Sequence, residues 1–474
     1  MMQKLKKRKT VGGINNFLMP VNLLNKNFYK IKIIFFIILL FSTNNKLHGG
    51  GMVRDAETER FLYEISRPLF NVANLNYSSV DLYLFNDDAV NAFVACGQKI
   101  FINTGLIMEF NSPSMLRGVL AHETGHIAGG HLARSDIALK KAQTPMIIGL
   151  LLGIGAAVAG DSDAAQGFLL GSQQIAKGMV AKYSRGQEAA ADQASFTYLE
   201  NLGLSSKGMI DVLYGFADQE ALSSRSQSIR VRSHPVSRQR IRFLEEKALN
   251  SPFFKKEESE DILHRYKMIR AKLKGFLKKP DQIIKLFKDK NKEDNLYALS
   301  IALYRKALIE EAIETIDILI MKYPKNPWFY ELKGQIYYES GKIDLSIEPY
   351  EKALKYSHKE PLIYAALATA LLAINRKDET QRALILLKKA IDLDPKNPQI
   401  YFQMAIAESR LGDIGKAELS TAERYFILGN LEKASFHADR SKKYLAPSSP
   451  LSLRADDIIL DSENTKQWRR KCPI

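Results

Sequence analysis

Past the N-terminal region, the first regular pattern is "DAETERFLYEISRPLFNVANL", Asp55 to Leu75, where Phe61, Ile65, Leu69 and Val72 recur at the spacing of an amphipathic helix. Short segments with strand character follow, "DLYLFN" (81–86) and "KIFINTG" (99–105), with turn-forming residues between and after them. From Pro113 to Arg134 the apolar residues return to helical spacing, with Ser112 placed to cap and Pro113 at the first helical position. A second buried helix is predicted around "YSRGQEAAADQASFTYL", on the Ala-rich composition and the spacing of Ala191, Phe196 and Leu199. Residues 52–265 therefore read as one mixed domain of helices around a small sheet.

The C-terminal half is governed by a repeat. Aligning "NPWFYELKGQIYYESGKIDLSIEPYEKAL" with "EPLIYAALATALLAINRKDETQRALILLKKAI" places Pro327 and Pro361 34 residues apart, the tetratricopeptide period. Pro398 follows after 37, the "KDETQ" turn carrying the three extra residues. Small residues recur where paired helices would cross: Ala312, Ser346, Ala383 and Ala417. Stacked helix pairs over 291–445 would form a superhelix with a concave face for extended or partly unfolded protein. A charged stretch, 266–290, is expected to bridge the two domains as a helical linker, and 446–474 reads as a polar tail.

With 474 residues, 46% hydrophobic and 25% charged, the chain is of soluble globular type and long enough for several domains. Its net charge of +16 is scattered over amphipathic helices and not interleaved with aromatics, so it does not point to nucleic acid. A peripheral attraction to anionic lipid is compatible with it. Near the N-terminus, Lys26, Lys30 and Lys32 lead into "IIFFIILLF" (33–41) and then polar "STNNK", the layout of a secretory signal or signal anchor over 1–48. Nine apolar residues are too few to span a bilayer, which takes about 20, so export is expected. The run "PMIIGLLLGIGAAVAG" (145–160), broken by glycines, is expected to form a helical hairpin over the active site, with membrane contact as its alternative. Only two cysteines occur, Cys96 and Cys472, so neither a disulfide framework nor a thiolate metal cluster can be built, and a metal site must use His and carboxylates.

Three of the eight histidines fall in "AHETGHIAGGHLAR" (121–134). His122 and His126, four residues apart on a buried helix, present both imidazoles on one face, where they can reach one ion. Glu123 lies beside the pair, able to take a proton from a water that the metal polarises without being a ligand itself. A catalytic zinc site takes three protein ligands. His131 stands one position short of a metzincin register and rotates off the metal face, so it is read as a polar or capping residue. Glu188 is the better third ligand. Asp192, one turn further, can accept the second N–H of a ligand histidine.

H-E-x-x-H followed some sixty residues later by S-R-x-x-E-x-x-x-D resembles the gluzincin metalloproteases of the HtpX and CAAX-prenyl-protease superfamily. "NAFVACGQKIFINTGLI" upstream and "SHPVSRQRI" downstream narrow the resemblance to the BepA-like periplasmic branch, which joins a zinc protease domain to tetratricopeptide repeats. The matched residues are Asn91-Ala92-Phe93, His122, Glu123, His126, Ser184-Arg185, Glu188, Asp192, His234-Pro235 and Arg240. The resemblance implies one zinc per chain on His122, His126 and Glu188, with Glu123 as general base and Asp192 in support. It makes His234 a regulatory fourth ligand or a stabiliser of the tetrahedral intermediate, and leaves Arg240 to pair with a helix carboxylate. It further implies a mainly α chain, in which an α+β gluzincin-type domain with a small sheet precedes an all-α tetratricopeptide superhelix. The expected function is periplasmic zinc endopeptidase, with misassembled outer-membrane proteins as clients and their assembly machinery as partner. The alternatives are a chaperone or scaffold whose protease site is mostly silent, and a membrane-embedded protease that uses 145–160.

Overall fold

The computed structural model describes residues 51–132, 134, 152, 162–220, 234, 238–287, 289 and 291–464. The expected signal (1–48) lies outside the described residues, as does the run 145–160 except Leu152. No helix among the described residues is long and apolar enough to cross a membrane.

A short strand β1 (Met52–Val53) leads into helix α1 (Ala56–Val72), whose N-cap Asp55 accepts a bond from the Thr58 amide. Phe61, Ile65 and Leu69 are buried from this helix as the spacing predicts. Then come β2 (Asp81–Phe85), β3 (Ala92–Ala95) and β4 (Lys99–Asn103). The sheet order is β1-β2-β4-β3, with β2 and β4 parallel and the two outer strands antiparallel to their neighbours. Leu82, Leu84, Ile100 and Ile102 alternate onto the core face, whereas Tyr83, Phe101 and Phe93 stack across the other face at 5.2 and 5.1 Å.

After α2 (Thr104–Glu109), helix α3 (Pro113–Ala128) begins as predicted, with Ser112 Oγ accepting from the Ser114 amide. It ends six residues before Arg134, the predicted end. The cause is the Gly129-Gly130 pair, Gly130 taking φ +60°, a conformation that favours glycine and turns the chain. Helix α4 (Ser162–Asn201) runs against α3, and α5 (Lys207–Glu220) and α6 (Arg238–Leu249) complete the first core.

The expected linker is corrected by α7 (Glu260–Leu277), which crosses the anticipated boundary at 265/266. Its Tyr266, Ile269 and Leu273 pack into the first core while Met268 packs with Leu296 and Tyr297 of the second, so α7 is a shared wall and not a tether. Short α8 (Pro280–Leu286) leads to the solenoid: α9 (Glu293–Arg305), α10 (Ile309–Lys322), α11 (Pro327–Glu339), α12 (Ile343–Tyr356), α13 (Pro361–Ile374), α14 (Lys377–Leu393), α15 (Pro398–Arg410), α16 (Ile414–Ile427) and α17 (Leu431–Lys442). Pro327, Pro361 and Pro398 each open a helix, and Ala312, Ser346, Ala383 and Ala417 are buried at the crossings.

The expected polar tail is corrected as well. Residues 450–464 form α18 (Pro450–Asn464), whose Ala455 and Ile458 are buried against Ala434 and Ala438 and cap the open end of the stack.

The two cores meet directly. Arg60 reaches Glu360 at 2.5 Å, Arg54 reaches Asp394 at 2.7 Å, and Lys396 reaches Asp81 at 3.1 Å. Beneath them lies a buried cluster, in which Lys272 of α7 is 2.5 Å from Asp55, 3.3 Å from Glu57 and 3.5 Å from Glu331. Cys96, in the turn after β3, is disulfide-bonded, so it takes part in a single bridge and not in a framework; Cys472 lies outside the described residues.

Candidate metal centre

The site forms where α3 and α4 touch. Gly125 permits the contact, since a Cβ there would lie 2.9 Å from the Ala191 carbonyl oxygen. His122 and Glu123 from α3 and Glu188 and Asp192 from α4 are consequently all buried. His234 enters from the chain just before α6.

His122 Nε2 lies 3.1 Å from His126 Nε2, 3.4 Å from His234 Nδ1 and 3.4 Å from Glu188 Oε2. His126 Nε2 is 3.3 Å from Glu188 Oε1, and His234 Nδ1 is 3.1 Å from both Glu188 oxygens. One donor atom from each of these four residues falls within 4.8 Å of every other. A tetrahedral zinc with bonds of about 2.0–2.1 Å separates its ligand atoms by about 3.3 Å. The donor set therefore fits zinc in chemistry, three imidazoles and a carboxylate, and in spacing.

The partners behind the donors fit the same reading. His122 turns its other nitrogen, Nδ1, to Asp192 Oδ1 at 2.9 Å. Asp192 is gripped from the far side by Arg240, with Nε at 2.6 Å and Nη2 at 2.9 Å, and Arg240 also lies 3.3 Å from Glu188. Burial would lower the His122 pKa, but bonds to Asp192 and Glu188 outweigh it and raise the value to about 9. Burial would likewise raise Glu188, yet the bonds from His122, His126 and His234 hold its carboxyl far below the usual carboxylate range. Glu188 thus stays anionic, as a metal ligand must.

Glu123 is fully buried, with Oε1 3.9 Å from His234 Nε2. It sits beside the donor cluster, not in it. A narrow cavity next to the donors is lined by Val119, Met209, Val212, Leu213 and Phe216 on its apolar side, and by His122, His234 and Arg240 on its polar side. Of the other motif residues, Asn91 and Ala92 are buried, Phe93 stacks on Phe101, Ser184 is half-buried, Arg185 is exposed, and Pro235 lies outside the described residues.

The register of the sequence predicts a polar or capping role for His131. In the fold it is buried, with Nδ1 2.9 Å from His126 Nδ1. Gln187, which no sequence motif marks, donates to the His131 carbonyl at 2.8 Å. The signal was present in the Gly129-Gly130 pair, which breaks α3 in a turn just before His131.

Residues 56–248 match the family model of peptidase family M48, and 334–375 and 386–418 match tetratricopeptide repeat models. The beta-barrel assembly-enhancing protease of Yersinia pestis is 25% identical over 388 residues, 81% of this chain and 79% of its own length. The protein of the same name in Escherichia coli (strain K12) is 24% identical over 402 residues, 82% of this chain and 80% of its own. Metalloprotease YcaL of Escherichia coli (strain K12) is 30% identical over 188 residues, 39% of this chain and 68% of its own. The chain belongs to peptidase family M48, the zinc-dependent metalloproteases, and carries tetratricopeptide repeats behind its protease domain.

Proposed function

We propose that the chain is an endopeptidase of the periplasm that degrades misfolded or misassembled outer-membrane proteins, with the solenoid presenting clients to the protease domain and meeting their assembly machinery. The relatives named for β-barrel assembly support the client class, and the observation that carries the catalytic part is the convergence of His122, His126, Glu188 and His234 beside Glu123.

In this reading His122, His126 and Glu188 hold zinc. When bound, zinc supplies Lewis acidity toward a peptide carbonyl and acidifies the attacking water. Glu123 accepts the water's proton and passes it to the leaving amine, a role its burial and its place beside the donors suit. Asp192 accepts the Nδ1–H of His122 and keeps its Nε2 lone pair turned inward, and Arg240 keeps Asp192 ionised. An edge strand of the sheet would take an extended substrate by main-chain hydrogen bonds.

His234 favours a second reading, a chaperone or scaffold with a mostly latent site. Its Nδ1 lies 3.4 Å from His122 Nε2 and 3.1 Å from Glu188, so with zinc bound it would be a fourth ligand in competition with water and substrate. Substrate arrival would then have to move it.

The test uses purified protein with an outer-membrane β-barrel protein, once diluted from urea and once folded in detergent micelles. Cleavage confined to the unfolded form, abolished by chelation and faster in His234→Ala, is expected. Equal cleavage of both forms would contradict the client assignment; binding without any cleavage, in the parent and in His234→Ala alike, would favour the scaffold.

A further inference from the structure

The two histidines of the H-E-x-x-H motif are held from behind by different groups. Each turns Nε2 toward the other donors, which leaves Nδ1 pointing away. A neutral imidazole that offers a lone pair at Nε2 carries its proton on Nδ1 and needs an acceptor there. For His122 that acceptor is Asp192 Oδ1 at 2.9 Å. For His126 it is His131 Nδ1, also at 2.9 Å, with the two rings 80° apart and their centroids 4.9 Å distant. His131 must then accept at Nδ1 and carry its own proton on Nε2.

The surroundings fix His131 in this pose. Gly130, at φ +60°, makes the turn that ends α3 immediately before His131. Gly129 leaves room for the ring, because a Cβ there would lie 2.4 Å from His131 Nε2 and 2.8 Å from its Cδ2. Gln187, the residue before Glu188, donates to the His131 carbonyl at 2.8 Å and ties the turn to the helix that supplies the carboxylate. Backbone turn, glycine clearance and cross-helix bond all serve the placement of one side chain.

We propose that His131 is a positioning residue for the metal centre: by accepting the Nδ1–H of His126 it sets that ligand's tautomer and ring plane. The inference rests on His126 being a zinc ligand. An imidazole acceptor adds no negative charge behind His126, whereas Asp192 adds one behind His122, so the two ligand histidines differ in basicity.

Asn places its Oδ1 where His places Nδ1, and Leu fills similar space without an acceptor. Zinc affinity is therefore measured by competition with a chromophoric chelator for the parent, His131→Asn and His131→Leu, together with the visible spectrum of the cobalt-loaded forms. His131→Leu is expected to weaken zinc by about 10–100-fold and to shift the cobalt bands. His131→Asn is expected to stay within about threefold of the parent and to keep the parental spectrum. Equal weakening of both variants, or no weakening of either, would overturn the proposal. His126→Ala separates the two claims: if it binds zinc like the parent, the ligand assignment itself fails, and if it loses zinc while His131→Leu does not, only the positioning role fails. Gly129→Ala, whose methyl presses on the His131 ring, gives a second route should His131→Leu not fold. It is expected to weaken zinc in the parent by about tenfold and in His131→Asn by as much or less; parental affinity in Gly129→Ala would overturn the proposal.

Discussion

Gly125 stands one residue before His126, where any side chain would press on the backbone of Ala191, 2.9 Å from its carbonyl oxygen and 3.1 Å from its Cα. Gly125→Ala forces α3 and α4 apart at the level where His122 and His126 face Glu188. The expected outcome is a stability loss of about 1–3 kcal/mol in denaturant titration and weaker zinc binding in chelator competition. A different residue, in the solenoid, contributes pH dependence to stability. Glu408 is buried and accepts a bond from Ser420 Oγ at 2.7 Å; burial pushes its pKa up to about 7 from an ordinary 4.5. The folded state holds this proton more tightly than the unfolded chain. Its contribution is therefore fully present below pH 4.5 and is lost as pH rises toward about 7. Glu408→Gln is expected to raise stability by on the order of 1–3 kcal/mol at pH 8 and to change little at pH 4, as read from melting curves at the two pH values.

At the scale of elements, what could be read depended on how many residues carry the pattern. The solenoid was legible because its helix pairs recur, a proline opening the first helix and a small residue standing at the crossing on the second, as at Pro361 and Ala383. Strands β1 and β3 were not, since two and four residues give too short an alternation to read. Helix α18 was missed because its buried face is only Ala455, Ile458 and two serines, while Leu453 and Leu460 stay exposed and its charges read as solvent. That narrow face still closes the stack. Ile458→Ala is expected to cost about 2–4 kcal/mol locally, seen as faster amide exchange in α17 and α18 with α9 to α13 unaffected, because a solenoid helix answers mainly to its neighbours.

For the whole molecule the distinctive feature is the direct seat of the protease domain on the solenoid through α7. Lys272 is buried there among Asp55, Glu57 and Glu331, and Tyr297 donates to Glu57 at 2.9 Å. Burial opposes the charge on Lys272, but the surrounding carboxylates keep it protonated. Lys272→Met leaves the carboxylates buried without their cation, at a cost of about 3–5 kcal/mol. Urea titration followed by circular dichroism is expected to show a lower midpoint and two separate transitions. None of this was legible in the sequence, where 266–290 read as a linker: Lys272 pairs with residues more than two hundred positions before it and about sixty after it, and charge patterning along one helix does not reveal partners so distant. His122, His126 and Glu188 could be singled out because H-E-x-x-H and E-x-x-x-D are local spacings on two helices, and the fold brings the three together; the approach of His234 and the closeness of His131 to His126 depend on chain turns that no local spacing records.

In the proposed mechanism Glu123 acts as general base beside a zinc held by His122, His126 and Glu188. The most direct test of that role is the rate of cleavage of an unfolded β-barrel client by Glu123→Gln, with zinc content measured on the same sample. Full zinc occupancy with cleavage slowed by about 10²–10⁴-fold is expected. Cleavage at the parental rate by zinc-loaded Glu123→Gln would rule out Glu123 as the base.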